Sequence, residues 1–331
     1  MSFGTIPPVI TDVGTSRSNG YEQFFGFTEP PFSLAANPRF RFASASHEAA
    51  LSQVTYAVER REPVIVVTGD IGMGKTLLCR TVVERLPRKT FLSVIHDPLL
   101  GRDDFLKRIL QDFGVISTGN PGALDPSRHE LVHALERFLA SLAPLEAHAV
   151  VIVDEAQHVQ PEVLEQIRLV ANVSDDRGTL LQIMLVGQPD LQTLLASPEL
   201  LQLRQRVARF VSLDALTDAE VSQYISHRLV VACQTETDSS MPGAHDLARA
   251  IAEWDLPVTF TPDAVETVSR LSHGVPRLVN LLCDRSLESA YAKHSTTVHA
   301  SDINAAAAVL QLRHLASDST EHKEASDSTA P

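Results

Sequence analysis

Two short stretches hold the residue types that phosphoryl chemistry needs. The first, GDIGMGKT, runs from Gly69 to Thr76 and has the form G-x-x-x-x-G-K-[ST]. Its glycines, Gly69, Gly72 and Gly74, let the backbone come close to phosphate oxygens. Successive N–H groups through Asp70, Ile71 and Met73, and on into the helix at Leu77, favour anionic charge. Lys75 is placed to reach the β- and γ-phosphates of ATP, and Thr76 to ligate Mg2+. The second stretch, VVIVDEA (150–156), is an apolar strand that ends in two acids. A carboxylate at the C-terminal end of a parallel strand faces the crevice where such sheets bind ligands. Asp154 then supports the magnesium, directly or through water, and Glu155 polarises a water in line with the γ-phosphate. The bland alternatives are a chance glycine-rich turn and a solvated strand end. The strand before Gly69, the helix after it and the presence of both stretches in one chain weigh against them.

Other polar residues remain open on residue type alone. Gln188, in LVGQPDL, ends another apolar run and could touch a γ-phosphate or its water, or serve as a turn residue before Pro189. Arg204, Arg206 and Arg209, in LRQRVARF, could complete a neighbouring subunit's site or be plain surface charge. Arg277 follows Pro276 in the first turn of a helix, from which it could reach a γ-phosphate or form an exposed ion pair of little worth. HELVH (129–133) matches the zinc-protease pattern H-E-x-x-H. At about 100° per residue, however, both histidines fall opposite the apolar face carrying Leu131, Leu135, Phe138, Leu139 and Leu142, and so face solvent.

Strands and helices must position these groups. PVIVVTG, FLSVIHD, HAVVIVDE, LLQIMLVG and ARFVSLD are short apolar runs rich in β-branched residues, consistent with parallel strands buried on both faces. Helical stretches over 74–86, 102–113, 127–142 and 161–173 alternate with them, and another precedes them at 46–60. Ser127 with Glu130, and Thr217 with Glu220, have capping-box spacing. The pattern predicts an α/β core with a parallel five-stranded sheet over 21–215, followed by a small all-helical domain over 216–315. Polar tails over 1–20 and 316–331, the latter repeating ASDST, are expected to be disordered. Residues 234–257, with the only tryptophan, Trp254, are expected to form a loop and a short helix.

Composition narrows the partners. A net charge of −13 over 331 residues repels phosphate backbones and disfavours a dedicated DNA binder. No apolar run is long enough to span a bilayer and the first residues do not read as a signal peptide. Three scattered cysteines suggest a reducing cytoplasm. One oddity is YEQFFGFTEPPFSLAANPRFRF (21–42), which crowds seven aromatic rings into a chain that is 5% aromatic. Its prolines exclude a regular helix or central strand, so another part of the chain must cover the rings.

Taken in order, FFGFTEPPFS, NPRF, SHEAAL, TGDIGMGKT, VDEAQH, LVGQPDL, QRVARF, ISHRL and GVPRLVNLLCDRSLESAY resemble the AAA+ ATPases of the ExeA/GspA type, from the general secretion pathway. More distantly, they resemble the transposition ATPases of the TnsC, TniB and MuB kind. The resemblance spans about Tyr21 to Leu310. It implies a P-loop NTPase (AAA+) core with a helical lid, ATP hydrolysis, and a homo-oligomer with an arginine finger supplied in trans. It places Gln188 at the sensor 1 position, Arg277 at sensor 2, and Arg206, with Arg209 beside it, as the finger. It further implies that the aromatic segment folds back on the ATPase domain and lid hinge and helps wall the adenine site. The client implied is an envelope, secretion or pilus machine met in the cytoplasm or peripherally at the inner membrane. A DNA-bound regulator of transposition is the alternative. The transmembrane helix and peptidoglycan-binding domain of ExeA-type proteins have no counterpart in these residues, so that role is not carried over.

Overall fold

The computed structural model describes residues 20–117, 126–171, 174–175, 178–234 and 256–312. The expectations for both tails, and for most of 234–257 including Trp254, lie outside them. Five parallel strands form the central sheet: β1 (Val64–Thr68), β2 (Thr90–Ile95), β3 (His148–Val153), β6 (Leu181–Gly187) and β7 (Val207–Ser212), in the order β2-β3-β6-β1-β7. Between β3 and β6 lies a small antiparallel hairpin, β4 (Ser174–Asp175) with β5 (Gly178–Thr179). The three inner strands are buried along their whole length, as their unbroken apolar runs predict. The outer two are not. β2 and β7 alternate in exposure, and Phe91 and Phe210 stand partly in solvent, because an edge strand is covered on one side only.

Side chains of successive strand residues point to opposite faces, so each face has its own core. Val64 and Val66 of β1 join one cluster with α4 (Arg102–Asp112), α5 (Arg128–Leu142), α6 (Pro161–Val170), α7 (Asp190–Leu195) and α8 (Leu201–Arg204). Ile65 and Val67 join the other, against α2 (Ala45–Glu59) and α3 (Lys75–Arg85). The predicted capping box at Ser127 forms, which sets α5 to bury Leu131, Leu135, Leu139 and Leu142 and leaves His129 and His133 exposed. Among the described residues no group of three or more potential metal ligands occurs.

The second domain packs α9 (Asp218–Cys233), α10 (Pro262–Ser272), α11 (Pro276–Ala292) and α12 (Ala300–Val309) around one cluster. It is not wholly helical: β8 (Thr259–Phe260) and β9 (Thr297–Val298) form a two-residue parallel pair. The aromatic segment begins with a short helix, α1 (Tyr21–Phe25), and continues as a strap. The expectation grouped it with the α/β core, its rings packing on that core and on the lid hinge. Instead Tyr21, Phe25, Phe27, Phe32 and Phe40 are buried in the same cluster as α9 and α11. Arg228 of α9 fixes the strap: its Nε donates to Pro31 O at 2.5 Å, one terminal nitrogen donates to Ser33 O at 2.9 Å, and its guanidinium lies 4.5 Å over the Phe40 ring. Burying a phenylalanine is worth ~1.5–3 kcal/mol, so five rings are a large share of a small domain's core. The strap also reaches the α/β domain, where Arg80 of α3 donates to Ala36 O.

A glycine sets the join between domains. Gly274, at φ +73°, links α10 to α11, and a Cβ there would lie 2.0 Å from Leu216 O. The same approach lets Leu216 N–H donate to Gly274 O at 2.9 Å. Only glycine meets both demands. No helix among the described residues is long and apolar enough to cross a membrane.

Candidate functional site

Strand order brings the two chemical stretches together. β6 lies between β1 and β3, so with strands about 4.8 Å apart the loop after β1 and the acids after β3 emerge about 10 Å from one another. The 69–76 loop is built for close approach. Gly72 and Gly74 take φ of +87° and +91°, and a Cβ on Gly74 would meet nothing within 4 Å. Gly74 is also the N-cap of α3 and offers no side-chain cap, so the first N–H groups of α3 are available to an anion. Lys75 is 7% exposed and folds along the loop, its Nζ donating to Gly69 O at 2.7 Å and Asp70 O at 3.1 Å. Open space at Gly74, free helix N–H groups and a buried ammonium together fit a polyphosphate.

Two oxygen donors that could hold magnesium share a cavity. Thr76 and Asp154 line one cavity of about 440 Å3 with Cys79, Val94, His96 and the strap residue Pro38. A hydroxyl and a carboxylate are hard oxygen donors, and magnesium typically takes one or two protein oxygens with phosphates and water completing its shell. Asp154 Oδ1 accepts from Glu155 N–H at 3.0 Å, and its Oδ2 lies 3.9 Å from His96 Nδ1, a neighbour that the sequence reading passed over. Burial beside Asp154 pushes the Cys79 thiol up to about 12, which removes it as a nucleophile.

Glu155 sits in the left-handed region at φ +50°, ψ +39°. Such a conformation in a non-glycine residue is costly and clusters at functional sites. Its Oε2 accepts from Gln157 Nε2 at 2.7 Å, and Gln157 Oε1 accepts from the Gln188 N–H at 3.0 Å. Gln188 therefore lies at the end of β6 beside the acids, joined to them by a residue the sequence reading did not single out. Gln192 of α7 adds a tie to the loop's root, donating to Thr68 Oγ1 at 2.9 Å.

Arg277 comes from the other domain. Its N–H donates to Gly72 O at 3.3 Å, and a Cβ on Gly72 would lie 2.5 Å from the Arg277 Cβ. The start of α11 thus rests on the 69–76 loop itself. The Arg277 side chain is exposed and makes no ion pair among the described residues.

The remaining arginines stand apart. Val207 pairs with Val64, the first residue of β1, so Arg206 lies at the end of the sheet opposite the loop. A strand of five residues spans roughly 16 Å, which puts Arg206 out of reach of its own site. Arg204 and Arg206 are exposed and make no ion pair among the described residues. Arg209 is engaged: its Nε and a terminal nitrogen donate to the Glu62 carboxylate at 3.0 and 2.7 Å, and its guanidinium lies 5.3 Å over Tyr56. That pairing within its own subunit counts against a free finger at 209.

Comparison with known proteins agrees with this geometry. Residues 58–195 match the AAA domain family. General secretion pathway protein A of Aeromonas hydrophila is 37% identical over 287 residues, which are 87% of this chain and 48% of that protein. The chain therefore spans about half the length of the curated relative it matches. Among solved structures, the Aeropyrum pernix ORC2 protein, in ADPNP–ADP complexes, superposes with a TM-score of 0.58 at 15% identity, covering 85% of this chain and 72% of that one. Cdc6p from Pyrobaculum aerophilum gives 0.56 at 14% identity, over 78% and 67%. At such identities these two establish the fold alone.

Proposed function

We propose that this chain, which carries an AAA domain on a P-loop NTPase fold, binds Mg-ATP, hydrolyses it, and uses the cycle to switch an assembly. One observation carries the reading. The glycine cradle with Lys75, the paired acids Asp154 and Glu155, and Arg277 from the second domain all converge at the C-terminal ends of β1 and β3. Gly69 through Leu77 would bind the phosphates, with Lys75 turning from its carbonyl partners to the β- and γ-oxygens. Magnesium, held by Thr76 and Asp154, would neutralise charge on those oxygens. Glu155 would orient the attacking water and accept its proton. Gln188 and Arg277 would contact the γ-phosphate, so that α11, and with it the helical domain, registers the nucleotide state.

Arg206 is too far away to serve its own site, which supports its use in a neighbouring subunit of a homo-oligomer. Leu201 and Phe210, five positions before it and four after it in the sequence, are exposed, the kind of apolar side chain that a subunit contact covers. The similarity to general secretion pathway protein A supports an envelope or secretion machine as the client, met in the cytoplasm or at the inner-membrane surface.

The test is a pair of variants assayed for binding and turnover. Glu155→Gln is expected to keep Mg-ATP affinity and lose turnover. Arg206→Ala is expected to keep affinity and lose about 10³-fold in turnover under conditions where the wild type self-associates. Normal hydrolysis by Glu155→Gln would refute the proposed base. Equal activity of wild type and Arg206→Ala, in assembled samples, would refute the finger.

A further inference from the structure

Gln157 makes two hydrogen bonds that look in opposite directions. Its Oε1 accepts from the Gln188 backbone N–H at 3.0 Å, and its Nε2 donates to Glu155 Oε2 at 2.7 Å. The polarity of the amide is dictated by its partners. A backbone N–H can only donate, so the oxygen end must face β6, and the NH2 end is then directed at the carboxylate. Space for this arrangement is made by Gly187: a Cβ there would lie 2.5 Å from Gln157 Oε1 and 3.4 Å from Gln157 N. The carboxylate it grips belongs to a residue held at φ +50°, where little else in the short turn Ala156–His158 would fix the side chain.

We propose that Gln157 is a positioning residue for hydrolysis: it sets the orientation of the Glu155 carboxylate and ties it to residue 188 at the end of β6. This rests on the reading of Glu155 as the group that orients water. With Oε2 bound by the amide, Oε1 is left to accept from the water. A carboxamide carries no charge at any working pH, so the clamp persists where a histidine or an acid would titrate. The same side chain provides a short mechanical path. A displacement of residue 188 toward a γ-phosphate moves its N–H, the Gln157 amide and then the Glu155 carboxylate. A shift of about 1 Å in a reacting group costs on the order of 100-fold in rate, so one misplaced amide is enough to register in turnover.

The test uses the full chain and three variants. In Gln157→Ala both bonds are lost. In Gln157→Glu the shape is kept and an oxygen still accepts from the Gln188 N–H, but the other oxygen now opposes Glu155. The third variant is Gln157→Ala combined with Glu155→Gln. For both single variants, kcat is expected to fall about 30- to 100-fold. The Kd for Mg-ATP should stay within about twofold and melting temperature within a few degrees. In single-turnover reactions, removing Gln157 from the Glu155→Gln chain should cost less than about twofold more, because residues that act as a unit are not additive. Should Gln157→Ala fail to fold, the isosteric Gln157→Glu decides alone. The proposal is overturned if kcat of Gln157→Glu is unchanged or raised, or if the loss recurs in full in the Glu155→Gln background. A dead Glu155→Gln chain beside a fully active Gln157→Glu chain would sink this inference alone. A fully active Glu155→Gln chain would sink the role of Glu155 with it.

Discussion

The candidate phosphate site and the strap-covered domain offer opposite settings for arginine. At the site, Arg277 is exposed and free of ion pairs among the described residues, as is Arg206 at the far end of the sheet, while the backbone of the site carries the unusual geometry: positive φ at Gly72, Gly74 and Glu155. In the strap, Arg228 is 5% exposed and fully engaged with Pro31, Ser33, Tyr224 and Phe40. Arg39 likewise donates to Val231 O and Gln234 O at the end of α9 and pairs with Glu29. A guanidinium left free is available to a ligand, and one satisfied on every side is a structural staple. Site variants should therefore change chemistry with little loss of stability, and strap variants should do the reverse.

The largest expected effect sits in the site. Lys75→Ala removes the buried ammonium and should weaken Mg-ATP binding by at least about 100-fold, with melting temperature within ~2 °C of wild type. Calorimetric titration beside a thermal melt checks both halves. A large fall in stability would break the contrast.

Next comes Arg228→Ala. It leaves the Pro31 and Ser33 carbonyls without a donor and uncovers Phe40, a loss of ~3 kcal/mol. For a chain of 331 residues that unfolds as one unit, with about 2.1 cal/mol/K of unfolding entropy per residue, that is a drop of roughly 4 °C in melting temperature. ATP affinity below the melt should be nearly unchanged; a protein that melts as before would show the strap to be loosely held.

Gly72→Ala probes the seam between the regions. The new methyl meets Arg277 Cβ at 2.5 Å in a backbone conformation that disfavours side chains. Lifting α11 off the loop should lower turnover about tenfold, with a modest cost of ~1–2 kcal/mol in stability. Unaltered kinetics would mean that contact between the loop and α11 does not matter to hydrolysis.

The smallest effect is pH dependence, and it belongs to the strap side. Burial lowers both His47 and His227 to about 4, and neither His47 nitrogen finds a partner. Beside His47 the Arg41 and Arg85 charges add to the lowering and Glu48 opposes it; beside His227 the Arg228 charge adds to it, while a hydrogen bond with the Arg41 backbone opposes it. Both are neutral when folded and protonate near 6.5 when unfolded, so the unfolded chain binds more protons between pH 6.5 and 4. Stability is full above pH 6.5 and is lost as pH falls toward 4. A melt at pH 5 should come a few degrees below one at pH 7; an identical melt would mean that these rings are solvated.

How much of this was legible in the sequence follows from the range of each interaction. GDIGMGKT, VVIVDEA and the capping boxes at Ser127 and Thr217 are local patterns, and the elements they mark form as expected. Five apolar runs announced five strands, but not that β2 and β7 are edges, because strand order is a property of the sheet. That the aromatic segment packs into the helical domain rather than the α/β core was not legible, because Thr28 and Arg228 contact partners some 200 residues away. Arg209 looked like its neighbour Arg206 until Glu62, 147 positions earlier, was found beside it. Gln157 had a signal, an amide two residues after the acids, yet its role depends on Gly187 and Gln188 from another strand.

The central claim is spatial: one triphosphate lies between the 69–76 loop and the paired acids. A crystal structure of the Glu155→Gln chain grown with Mg-ATP tests it most directly. The account predicts the γ-phosphate between Lys75 and residue 155, with magnesium about 2.1 Å from Thr76 Oγ1 and Asp154 in its coordination sphere or one water away. Nucleotide bound elsewhere, or phosphates in the loop with the acids turned from them, would contradict it.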